Sequence, residues 1–179
     1  MTTAFIKTLI DATSSNIYLI KEASITLIHY SSPNSFININ SLLLKGNICD
    51  AVITSREILV TTLCGFTLFI DKKLSKIHKR MFTGVHCTTI SNEGDFCLIG
   101  GQWLLSKGNW SFLDIDTGIH CLQDINNSND FCICNLYPNS YKLLTSINGV
   151  STVEDLSFYP VHVCMWSKTV IIFGERQIY

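Results

Sequence analysis

Carboxylates in close pairs are the first residues here that could do chemistry, and two such pairs occur, Glu93 with Asp95 and Asp114 with Asp116. Two acids facing one glycosidic bond can divide the roles of proton donor and nucleophile or base. An aspartate in a turn far more often accepts hydrogen bonds from its own backbone, so the pairs read first as turn residues. Asp124 and Asp130 follow, and between Glu93 and Asp130 six acids stand against Lys107 alone, a balance of −5. Trp103, Trp110 and Phe131 are interspersed with them. Rings beside carboxylates suit capture of a basic protein, the rings giving anchor area and the charges steering the encounter. Glu93, Asp95, Trp103, Trp110, Asp114, Asp116, Asp124 and Asp130 are therefore the expected partner-binding residues.

The thiols and imidazoles offer less. His86-Cys87 and His120-Cys121 are neighbours, and adjacent residues of a strand point to opposite faces, so neither pair can share a ligand or pass a proton directly. Cys132 and Cys134 do share a face, but zinc takes about four ligands and no second pair stands at a known spacing; His162 and Cys164 are the nearest candidates. Six of the eight cysteines, Cys49, Cys64, Cys97, Cys132, Cys134 and Cys164, lie in apolar runs and are expected as buried thiols. No nucleophile elbow, phosphate-cradling glycine loop or zinc-protease helix is present. Gly100-Gly101 reads as a bend within a strand. The sequence thus assigns no catalytic residue, no metal ligand and no cofactor.

A second charged segment has the opposite sign. Lys72, Lys73, Lys76, Lys79 and Arg80 occur with no acid among them, a balance of +5 in a chain whose net charge is −1. Without interleaved aromatics or an overall basic charge, nucleic-acid binding is not expected, and the run reads as a solvated edge strand or loop protected from aggregation by its lysines.

The elements that must carry these residues are strands. Apolar runs of five to seven residues, rich in Ile, Val, Thr, Phe and Tyr, end at Asn, Ser, Gly, Asp or Pro. No window keeps three- and four-residue apolar spacing for three turns, and the most helix-like piece, 72–81, is short and uncapped. Several runs, such as Ile58-Leu59-Val60 and Val170-Ile171-Ile172-Phe173, are apolar at successive positions, which predicts strands covered on both faces.

Five times an apolar run breaks at a polar turn and resumes: 5–10 into 16–20, 49–54 into 57–63, 85–90 into 95–99, 131–136 into 141–146, and 161–166 into 169–173. The first three units gain a third strand at 24–30, 65–70 and 110–115. Units begin at spacings of 44, 36, 46 and 30 residues, near one propeller blade each. The run Asp114-Ile115-Asp116-Thr117-Gly118, leading into 119–123 as a fourth strand, resembles the aspartate-containing turn that closes the third strand of a WD-repeat blade. The Trp-Asp and Gly-His pairs of that family are absent, so the resemblance covers 85–123 well and the other units by architecture. It implies an all-β fold, a small β-propeller-like repeat of about five short blades. An irregular antiparallel β-sandwich is the alternative.

With 179 residues, 47% hydrophobic and 15% charged, the chain is expected to form one domain spanning 1–179. The longest uncharged apolar run, 58–70, is shorter than a membrane span and is interrupted by threonines and a glycine, and the first residues lack the pattern of a secretory signal. A cytoplasmic protein that does not enter a membrane is therefore expected. Rigid scaffolds without catalytic motifs serve as binding platforms, with loops gathered at one end. The expected function is a non-enzymatic protein-binding module, monomeric or in a 1:1 heterocomplex. In type, though not in motif, it resembles the immunity proteins of contact-dependent growth inhibition systems, which implies an acidic face covering the basic active site of a toxin, such as a nuclease. The alternatives are a glycoside-acting enzyme using Glu93, Asp95 and Asp130, and a scaffold subunit of a larger assembly.

Overall fold

The computed structural model describes residues 4–11, 13–32, 35–84, 89–93, 96–106, 109–114, 120–126, 130–137 and 140–174. Among them are eighteen strands and no helix. They fall into two compact units, Met1–Thr88 and Thr89–Tyr179.

The first unit holds two four-stranded antiparallel meanders. Phe5–Asp11 (β1), Asn16–Lys21 (β2), Ser24–Ser32 (β3) and Ser35–Leu43 (β4) form one, and Ile48–Ile53 (β5), Glu57–Thr62 (β6), Phe66–Asp71 (β7) and Ile77–Phe82 (β8) the other. The apolar runs do what their pattern predicts: Ile58, Leu59, Val60 and Thr61 of β6 are all buried, as are Thr67, Leu68, Phe69 and Ile70 of β7. Both faces of these central strands are covered, and Tyr18, Ile20, Ile25, Ile58, Val60 and Ile70 make one continuous core. Burying a side chain of this size is worth about 1.5–3 kcal/mol, so the core outweighs any single surface contact. The basic run forms the turn from β7 and the edge strand β8, matching its reading as a solvated edge.

The second unit has two more four-stranded meanders and a hairpin. Ile90–Glu93 (β9), Phe96–Ile99 (β10), Trp103–Ser106 (β11) and Asn109–Phe112 (β12) make the third sheet. His120–Ile125 (β13), Phe131–Tyr137 (β14), Ser140–Ile147 (β15) and Val150–Leu156 (β16) make the fourth, and Pro160–Trp166 (β17) pairs with Thr169–Gly174 (β18). Two clusters hold these sheets together. One contains Leu98, Leu104, Ile125, Phe131 and Ile133, and the other Cys132, Cys134, Leu143, Val163 and Ile172.

Every ladder among the described residues joins strands adjacent in the chain, and within each unit the first strands of consecutive sheets lie side by side, β1 by β5 and β13 by both β9 and β17. Repeated sequential meanders with adjacent first strands make the fold all-β and propeller-like, five short blades of which the last has two described strands. The described strands form five separate sheets rather than the two facing sheets of a sandwich.

Two details of the third repeat differ from the sequence reading. Gly100-Gly101 is not a bend inside a strand; both glycines have positive φ (54° and 68°) and turn the chain so that Ile99 pairs with Trp103, creating β11. The segment expected as the fourth strand of that blade is instead the first strand of the next, because β13 runs in unbroken register with β14 from His120↔Leu136 to Ile125↔Phe131. Residues 85–88, which include His86-Cys87, lie outside the described residues.

The thiols are less uniformly buried than expected. Cys97, Cys132 and Cys134 are buried, Cys49 and Cys164 half-buried, and Cys64 is exposed at the turn between β6 and β7. Burial, reinforced by the nearby Asp124 charge, pushes the Cys132 thiol far above its ordinary range and keeps it protonated.

Candidate protein-binding site

The acids that line clefts in the second unit lie at or near strand ends. β13 ends at Ile125, the chain turns through Asn126, and β14 begins at Phe131, so Asp124 and Asp130 stand on either side of one turn. β17 ends at Trp166 and turns back through Ser167-Lys168 to Thr169. Glu93 closes β9. Together they line a cleft of about 360 Å³ formed by Glu93, Asp124, Asn126, Asp130, Trp166 and Lys168, with Ile125, Met165 and Ser167.

The floor of that cleft is fixed by hydrogen bonds to the carboxylates. The Ile125 amide donates to Asp124 Oδ1 at 2.9 Å and the Met165 amide to Asp124 Oδ2 at 2.8 Å, tying the fourth sheet to the final hairpin. The Asn148 amide donates to Asp130 Oδ1 at 2.7 Å, and Asn126 Nδ2 to Asp130 Oδ2 at 3.3 Å. Asn126 Nδ2 also reaches the Ser167 carbonyl at 2.8 Å, and the Asp130 amide donates to Asn126 Oδ1 at 3.0 Å. Bonds to a charged acceptor are about twice as strong as neutral ones, so the two carboxylates hold three chain reversals in fixed relation.

The rim is different in character. Glu93 and Lys168 are exposed, and Trp166 presents its indole with 77% of the residue accessible. A second cleft, of about 530 Å³, shares Asp130 with the first and is lined by Asp114, Phe112, Leu113, Asn148, Gly149 and Ser151 among others. Asp114 and Phe112 are exposed on its rim.

The structure therefore gathers Glu93, Asp124 and Asp130 in one cleft and Asp114 with Asp130 in the next. Trp103 and Trp110 line neither. Both are half-buried on the third sheet, Trp103 edge-on to Phe112 with ring centroids 5.2 Å apart and Trp110 opposite Leu105. Asp95 and Asp116 lie outside the described residues. The sequence reading missed Trp166, Lys168 and Asn126; a tryptophan ending a strand immediately before a Ser-Lys turn was the available signal, since such a side chain projects from a hairpin tip.

Cys132 and Cys134 sit in an apolar cluster and His162 is exposed opposite Phe173, so the conjectured four-ligand set is not assembled. Among the described residues no three metal-ligating side chains come together.

The chain matches no protein-family model and no curated protein. Its likeness is to solved structures. A functionally unknown protein from Desulfotomaculum acetoxidans DSM 771 is 15% identical with a TM-score of 0.70, over 99% of this chain and 65% of that one. BBS1N, solved in complex with ARL6DN, is 9% identical with a TM-score of 0.62, over 96% and 62%. The N-terminal domain of Nup159 is 14% identical with a TM-score of 0.58, over 96% and 53%. The likeness is one of β-propeller-like fold, and the chain spans less than two thirds of the length of each of these structures.

Proposed function

We propose that this protein is a non-enzymatic binding module whose second unit takes up a positively charged protein surface across its two acidic clefts. The supporting observation is the division of labour around Asp124 and Asp130: their oxygens are held by amide donors in a rigid, negative floor, while Trp166, Glu93 and Asp114 stand exposed at the rim. Negative charge focused in a cleft accelerates encounter with a basic partner, and an exposed indole beside it provides the apolar anchor. BBS1N, one of the propeller-like structures to which the chain is similar, was itself solved in complex with ARL6DN. The finer form of the reading is an immunity protein whose acidic face covers the basic active site of a toxin, which requires no turnover.

The test is equilibrium binding to the partner recovered from the native host. Glu93→Lys with Asp114→Lys should raise the Kd by about tenfold or more at low salt, and the difference should shrink at about 0.5 M salt, where charges are screened beyond about 4 Å. Trp166→Ala should weaken binding at both. Equal affinity for all variants would refute the assignment.

A second reading is favoured by one observation, the convergence of Glu93, Asp124 and Asp130 beside an exposed indole, which also suits a sugar. Against it, the oxygens of Asp124 and Asp130 are already taken up by amides, leaving Glu93 as the acid free to move a proton. Glycosidase activity abolished by Glu93→Gln would establish it in place of the binding reading.

A further inference from the structure

Two sheet edges, one in each unit, carry charge of opposite sign, each on two consecutive residues. β8 is the outer strand of the second sheet and pairs only with β7 among the described ladders; β16 is the outer strand of the fourth and pairs only with β15. Each leaves its outward backbone N–H and C=O groups available to a further strand. On β8, Ile77, His78, Lys79, Arg80 and Phe82 are exposed, and on β16 every residue from Val150 to Asp155 is exposed.

The cations of β8 are held along the edge. Lys79 lies over the Phe69 ring at 4.7 Å from its centroid, and the Arg80 guanidinium lies over the Phe66 ring at 3.6 Å. Both are thus partly ordered before any partner arrives, which lowers the entropy lost on pairing. β16 offers Glu154-Asp155 after the apolar and hydroxyl residues Val150 to Val153.

We infer that β8 of one copy pairs antiparallel with β16 of a second copy, joining molecules head to tail by β-augmentation. In the register that sets Lys79 opposite Asp155, Arg80 falls opposite Glu154, Met81 opposite Val153 and Phe82 opposite Thr152. Both charge pairs are matched at once, and opposite charges directly across a ladder stabilise it. Two β8 strands in full overlap would instead set Lys79 against Arg80, so the same residues that forbid β8 self-pairing select β16. Two β16 strands gain no opposite charges. The complementary strand is on the chain itself, which commits the occupant to another copy rather than to an unrelated acidic segment. Because the two edges differ, the contact is heterologous and the product is an open chain or closed ring, not a two-fold dimer. The residues paired in this register, 79–82 and 152–155, are not among those lining the acidic clefts, and the contact would make the protein more than a monomer.

Sedimentation velocity of the full chain tests it, from about 1 to about 200 μM at about 0.05 and 0.5 M salt. Species larger than the monomer should grow with concentration at low salt and recede at high salt. Lys79→Glu with Arg80→Glu, and separately Glu154→Lys with Asp155→Lys, should each lower the association constant by about tenfold or more. An equimolar mixture of the two variants should associate again, because each restores the charge the other lost; this recovery also shows that both are folded. A wild-type chain that stays monomeric throughout, a variant that assembles like wild type, or a mixture that stays monomeric would each overturn the proposal. So would a wild-type chain that stays monomeric while binding an unrelated acidic strand peptide through β8.

Discussion

Asp124 and Trp166 meet in one cleft but act in different ways. Asp124 accepts the Met165 amide from a strand 41 residues away, whereas Trp166 stands 77% exposed at a hairpin tip. Asp124→Ala would leave the Met165 amide without its acceptor, and the loss of a bond to a charged group predicts a cost of about 1.5–3 kcal/mol in urea unfolding. Trp166→Ala should leave the unfolding midpoint within about 0.5 kcal/mol of wild type, as surface changes do, while weakening partner binding. The run of acids was legible in the sequence because charge is carried by residue type. Their engagement was not, because the amides of Met165 and Asn148 that satisfy Asp124 and Asp130 come from other strands and leave no mark at the acids themselves. Trp103 and Trp110 lie in the same stretch of sequence as the acids but line neither cleft, Trp103 packing instead against Phe112 of its own sheet, which proximity in the chain does not decide.

At the scale of elements, one buried acid joins two sheets of the first unit. Asp11 ends β1, and its carboxylate accepts the Thr13 hydroxyl at 2.6 Å, the Thr13 amide at 3.1 Å and the Lys72 ammonium at 3.1 Å from the turn before β8. Around the same turn, the Tyr18 hydroxyl donates to the Lys72 carbonyl and Asn40 Nδ2 to the Lys73 carbonyl, each at 2.9 Å. Burial alone would raise the Asp11 pKa, but the hydrogen bonds from Thr13 and Lys72 overcome it and hold the carboxyl well below the usual range. A depressed folded-state pKa contributes stability above the unfolded value, about 3.9, and loses it as the pH falls further toward the folded value. Asp11→Asn should therefore be destabilised by about 2 kcal/mol at pH 7, and its gap to wild type should narrow below about pH 4 in urea titrations. A gap unchanged down to about pH 2 would place the stabilisation in something other than the charge.

Most strands were legible because their apolar runs are long and bounded by turn residues, as in β6 and β7. Three were missed, β4 because it is mostly exposed and its apolar residues are interrupted by Asn38, Asn40 and Ser41, and two more for other reasons. β11 is only four residues long and depends on the Gly100-Gly101 reversal. β16 is so exposed that it carries no apolar run, although Asn148-Gly149, with φ of 53° and 76°, is the two-residue turn that joins Ile147 to Val150. Reading that turn first would have found the strand.

Over the whole molecule, a net charge of −1 conceals segments of opposite charge. In the first unit five cations cluster in the turn before β8 and on β8 itself, and in the second Glu93, Asp114, Asp124 and Asp130 line two clefts. The repeat itself was readable from five recurring breaks in apolar runs, since the period of a meander is written in the spacing of its turns. Which turn residues face a partner was not, because that depends on how three separate reversals converge. The most direct measurement is amide hydrogen exchange of the chain with and without its bound partner. The account predicts slowed exchange at Trp166–Thr169, around Glu93 and at Leu113-Asp114, with the strands of the first unit unchanged. Protection confined to other segments, with exchange at the Trp166 turn and Glu93 unaltered, would contradict it.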